Sequence, residues 1–148
     1  MQPAPLNLVK LSVGTRSVAG LTRWQQRRVK QRKREGGDPR PMHVTRMTPR
    51  RAAELLEGGS IYWVVQRQIV ARQRLVAIEP WQGKDSIPRC ALVLDPRIVK
   101  VEPRPKRPFQ GWRYLTGEDA PPDLTADGEA MAEMPAKLRA ALSDLGIR

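Results

Sequence analysis

The chain has 148 residues but only one cysteine, one histidine and one phenylalanine, and each scarcity closes off a class of chemistry. Cys90 lies in the apolar run Cys90 to Leu94; a lone thiol builds no disulfide framework and suits a reducing compartment. One imidazole, one thiol and no clustered carboxylates leave a metal without ligands, so neither metal nor cofactor is expected. His43 itself reads as a strand residue satisfied by a neighbour. No run of 18 apolar residues exists to span a bilayer, and the N-terminus lacks the apolar core of a secretory signal. The first 34 residues hold no acid and many arginines, a faint transit-peptide character, but Leu6 to Val13 reads as a strand. A cytoplasmic protein is expected. There is neither a Walker loop nor a nucleophile elbow, and Gly58-Gly59-Ser60 reads as a turn that ends a helix.

Positive charge is what the chain has in excess. Lys and Arg number 27 against 15 acids, for a net charge of +12 and a pI near 11.0. Through Leu115 there are 24 basic and 8 acidic side chains; from Thr116 onward there are 3 and 7. That division predicts a basic α+β domain over residues 1–115. It also predicts an acidic, proline-bearing linker and tail over 116–148, with one short helix on Leu138, Ala141, Leu142 and Leu145. A basic body points to a polyanion partner. Anionic lipid would exploit the same charge, but no strongly apolar amphipathic face accompanies it, so no membrane partner is expected.

The stretch from Met42 to Glu79 organises the fold. Met42 to Met47 alternates as a half-buried strand, and Thr48-Pro49 reads as a helix start followed by the apolar positions Ala52, Leu55 and Leu56. Ser60 to Gln66 is apolar on both faces, as a covered central strand should be. In Ile69 to Ile78, Val70, Arg72, Arg74, Val76 and Ile78 share one face. Arg72 and Arg74 then stand about 7 Å apart, near the spacing of successive phosphates. They could equally be solvated, or paired with Glu54, Glu57 or Glu79.

Upstream, Ser17 can cap a helix from Val18 to about Arg34, with Val18, Leu21, Trp24 and Val29 as a ragged apolar stripe. Arg23, Arg27, Arg28, Lys30, Arg32, Lys33 and Arg34 crowd its C-terminal half with no carboxylate among them. Such a run is stable only if something anionic neutralises it or if it frays, and it points to a nucleic-acid contact. Downstream, Pro80 to Pro88 reads as a loop carrying Trp81. Arg89 to Leu94 and Arg97 to Glu102 read as short strands joined by a hairpin or corner at Asp95-Pro96, and Pro103 to Pro108 as an extended basic segment. Phe109 to Leu115 (FQGWRYL) then sets Trp112 and Tyr114 about Arg113, where bases could stack on rings and guanidinium planes. Phe109, Tyr114 and Trp63 read as core, whereas Trp112 fits either core or a stacking platform.

The blocks HVTRM, RRAAELLEGGSIYWVV, ARQR, RCALVLDP and RPFQGWRYL, in that order, resemble a family of small basic bacterial proteins known as a domain of unknown function. Relatives carry a glycine near the bend that holds Arg67 here. The run Leu55, Leu56, Gly58 and the following strand is also similar to PUA-like domains, including ASCH and EVE. That likeness implies a small barrel that binds RNA or a modified base. Some ASCH proteins are hydrolases built on a threonine, a lysine and a carboxylate; Thr45 and Glu54 lie in the right region, but the nearest lysines in sequence are Lys33 and Lys84.

The resulting expectation is an α+β domain: a mostly antiparallel curved sheet or pseudo-barrel with two packed helices and a mobile C-terminal tail. Its expected function is RNA binding, ribosome-associated in one form, through Arg27, Arg28, Arg32, Lys33, Arg46, Arg50, Arg72, Arg74, Trp112 and Arg113. The alternatives are an enzyme acting on RNA or a nucleobase derivative, and a protein-binding adaptor whose acidic tail covers the basic face.

Overall fold

A computed structural model describes residues 4–124. The elements run β1 (Asn7–Leu11), α1 (Val18–Arg34), β2 (Met42–Thr45), α2 (Ala52–Leu55), β3 (Ser60–Val65), β4 (Gln68–Gln82), β5 (Pro88–Leu94), β6 (Val99–Pro105) and β7 (Trp112–Leu115). The class is α+β: among the described residues, seven strands form one mixed sheet, with two helices. Its path is β2-β5-β4-β3-β1-β7, with β6 also on β4. Among the described residues only β1 and β3 pair in parallel, joined by a crossover that contains both helices; the other ladders are antiparallel.

The long strand β4 is the hub. Its first half pairs with β3 and β6, its second with β5. β5 and β6 therefore follow one another along β4, and the segment around Asp95-Pro96 between them is a corner. Two bulges on β4, at Val70 opposite Trp63 and Val64 and at Val76 opposite β5, bend the sheet. Among the described residues no ladder joins β2 to β7, so the sheet stays open. Side chains bring its two ends together instead. Trp112 Nε1 donates to the Met47 carbonyl at 3.1 Å, and the Arg51 amide donates to the Tyr114 hydroxyl at 3.1 Å.

Both faces of β3 are buried, as its unbroken apolar sequence predicts. On the inner face, Leu8, Ile61, Trp63, Leu75, Cys90 and Leu92 pack with Leu21 of α1 and Leu55 of α2. A polar knot sits in this layer. Gln73, fully buried, accepts from Trp63 Nε1 at 2.9 Å and from Gln25 at 2.6 Å, and donates to Gln25 and to the Asp95 carbonyl. Every buried polar atom of this glutamine is thus satisfied, which a glutamine in a core requires. The outer face packs Val9, Tyr62, Val64, Ile69, Val101 and Leu115.

Several boundaries differ from expectation for identifiable reasons. α2 is a single turn whose N-cap is Arg51 rather than Thr48, and Leu56 faces solvent. Gly58, at φ +97, ends it, while a Cβ on Gly59 would collide with the carbonyl oxygens of Leu6 and Leu55. β4 runs through Pro80 and Trp81, read from sequence as loop, because β5 pairs with it as far as Gln82. β6 likewise takes in Pro103 to Pro105.

Residues 116–124, read as linker, lie on the sheet. Ala120 packs against the outer core, Pro121 is buried, and Asp123 bridges to Val101. The helix expected on Leu138 to Leu145 falls outside the described residues.

Candidate nucleic-acid interface

α1 builds the first part of the site. Ser17 Oγ accepts from the Gly20 amide at 3.0 Å and caps the helix. Arg32, Lys33 and Arg34 occupy its last turn, where cations favour the helix dipole. Val18, Leu21, Thr22, Gln25, Val29 and Arg32 form the packed stripe, at the i, i+3, i+4 spacing of one helix face. Arg23, Arg27, Lys30 and Arg34 fall directly opposite. They make one exposed row about 16 Å long at 1.5 Å rise per residue. Among the described residues none of the four enters an ion pair.

The inward stripe read from sequence had one member on the wrong side. Trp24 is 41% exposed, with the Arg28 guanidinium 5.6 Å from its ring centre. Gln25 takes the inner position instead, a choice legible only once Gln73 is known to be its buried partner. Lys33 is exposed beside the row. Arg32 is used structurally: its Nε and Nη2 donate to the Asp38 and Arg40 carbonyls at 3.0 and 2.7 Å, tying down the loop after the helix. Burial and then the nearby Arg28 charge push its pKa below the ordinary value.

Arg72 and Arg74 do not form the free pair that their spacing suggested. Arg72 binds Asp123 through two bonds of 2.7 Å and reaches Ser60 Oγ at 3.1 Å, while Arg74 is exposed. Sequence offered no sign of this, because Asp123 sits 51 residues away. Of the carboxylates considered as partners, Glu54 pairs with Arg51 and Glu79 with Arg40.

Arg46, Trp112 and Arg113 are brought together. Residues 45–47 at the end of β2 and 110–114 around β7 line a cavity of about 660 Å³ where the two sheet ends meet. Trp112 and Tyr114 stand edge to face there at 5.1 Å, with Met47 70% exposed at the rim. Arg113 stacks on Phe109 at 5.1 Å, and exposed Arg50 lies on the turn just beyond. Nothing acidic lines this mouth.

Sequence reasoning missed Lys10, half-buried on β1 between Trp63 and Trp112 in the ladders. Burial lowers the pKa of its ammonium. Behind it His43 packs edge-on to Trp63 at 5.7 Å, its pKa pushed down to about 4 by burial and then by the Lys10 charge. The alternation of Leu8 and Lys10 on one face was the available signal.

No helix among the described residues is long and apolar enough to cross a membrane. No curated protein and no solved structure matches the chain, and the likeness to PUA-like domains gains no support. The family model described as "Protein of unknown function (DUF1489)" matches residues 8–148, and the chain belongs to that family.

Proposed function

We propose that the protein is a cytoplasmic RNA-binding protein that contacts phosphates through the outward row of α1. The observation that carries this reading is the row itself. Arg23, Arg27, Lys30 and Arg34 stand on one exposed face without a carboxylate partner among the described residues. Elsewhere on the same molecule arginines do find acids: Arg40, Arg51, Arg72 and Arg89 each hold at least one. Like charges at i, i+4 on a helix repel by a few tenths of a kcal/mol per pair, and a polyanion along the row turns that cost into attraction.

RNA is favoured over duplex DNA by the aromatics. Trp24 beside Arg28 on the row's flank, and Trp112 in the mouth, suit bases that are free to unstack. Arg46, Arg50 and Arg113 extend the cationic surface around that mouth. Arg74 adds a charge elsewhere on β4, whereas Arg72 and Arg32 serve the fold.

Ultraviolet crosslinking of the purified protein to a labelled single-stranded RNA pool, followed by peptide mapping, tests the reading. Crosslinks should concentrate on α1 peptides that contain Trp24. Their absence from α1, with crosslinks elsewhere, would remove the helix from the interface.

A further inference from the structure

The cavity between residues 45–47 and 110–114 has features that phosphate contacts along α1 do not need. Its volume, about 660 Å³, lies within the range of small-molecule sites and is ample for one nucleotide. Its aromatic wall is pre-oriented: the Trp112 ring is fixed by its N–H bond to Met47, and Tyr114 by the Arg51 amide that it accepts. The Arg51 guanidinium lies over the Tyr114 ring, 5.5 Å from its centre. Met47 keeps an apolar side chain in water at the rim, and the lining includes two arginines and no acid. Thr45 and Gln110 supply hydroxyl and amide groups able to read a base edge.

We infer that this mouth is a pocket for a single unpaired nucleotide, its base against Trp112 and Met47 and its phosphate at Arg46. This deepens the RNA-binding reading and rests on it only for the source of the nucleotide, which is a strand or a free mononucleotide. A duplex does not fit this reading, because a base still paired and stacked cannot enter a pocket between the end of β2 and β7.

The test follows the Trp112 indole N–H resonance, assigned by Trp112→Phe. Full-length protein is titrated with adenosine 5′-monophosphate, adenosine, inorganic phosphate, a single-stranded RNA octamer and an RNA duplex. The resonance should move with the mononucleotide or the octamer, and not with the duplex or with phosphate alone. Met47→Ser and Arg46→Gln, both at exposed positions, should raise the Kd of the responding ligand at least fivefold with Tm unchanged. Arg27→Gln with Lys30→Gln should weaken the octamer and leave any mononucleotide response intact.

If the octamer binds while the Trp112 signal stays still, RNA binding stands and the pocket is overturned. If the mononucleotide moves Trp112 while the octamer fails to bind, the pocket stands as a free-nucleotide site and the RNA reading falls. A resonance unmoved by every ligand at millimolar concentration, or moved equally in the Met47 and Arg46 variants, also overturns the pocket.

Discussion

Arg72 and Asp123, 51 residues apart, are joined by two hydrogen bonds of 2.7 Å that fasten residues 116–124 to the centre of β4. The Arg72 side chain is 26% exposed and that of Asp123 47%, so solvent screens the pair and its worth is on the order of 1 kcal/mol. Residues 116–124 are therefore part of the folded body, and the carboxylate of Asp123 serves the fold.

Truncation makes the point testable. A chain ending after Leu115 should melt several degrees below one ending after Leu124, because Val101 is uncovered and Arg72 is left without its carboxylate. Asp123→Asn should cost less than that truncation. Hydrogen bonding to Arg72 holds the Asp123 carboxyl below its ordinary value. The pair's contribution is thus complete above the unfolded pKa, about 3.9, and lost as pH falls through the lower folded one. Equal melting temperatures for the two truncations would contradict this account.

His43 sets a second pH dependence. Its folded pKa, about 4, lies below the unfolded value near 6.5, so the fold favours the neutral ring. Stability from this group is present in full above about pH 6.5 and declines as pH falls toward about 4. It amounts to on the order of 3 kcal/mol across the window. Denaturant midpoints should drop between pH 6.5 and 4.5 with a slope near one proton, and His43→Phe should flatten that slope. An unchanged slope in the variant would show that His43 is not the group responsible.

The β3–β4 turn is a third test. Val65 pairs with Gln68, leaving Gln66 and Arg67 as a two-residue turn at φ +49 and +65. Such turns favour Asn-Gly, because other side chains meet strain at positive φ. Replacing Gln66-Arg67 with Asn-Gly should stabilise the protein by about 1 kcal/mol, read as a higher denaturant midpoint at constant m. A lower midpoint would mean that the native side chains make compensating contacts.

Much of the fold was legible in local chemistry. Ser17, the 3.6-residue period after it, the two-sided apolar run of β3 and the glycines after α2 each act through neighbours a few residues away. What stayed hidden depends on partners far off in the chain. The parallel β1–β3 pairing needs a crossover that no periodicity reveals. Trp24 points outward because Gln73 claims Gln25, and Arg72 looked free because Asp123 arrives from a segment that composition marked as linker. The mouth was half visible: FQGWRYL announced its aromatics, while Met47 entered only through the curvature that brings β7 beside the end of β2.

The central claim is that the outward row of α1 binds RNA phosphates. Its most direct test is the salt dependence of binding to one single-stranded RNA, measured for the wild type and for Arg23→Gln, Arg27→Gln, Lys30→Gln and Arg34→Gln combined. If all four cations contact phosphates, log affinity for the wild type should fall steeply with log salt. The quadruple variant should then be shallower by about 2.8, at roughly 0.7 per lost contact. Equal slopes for the two proteins, or wild-type binding that is flat with salt, would contradict the account.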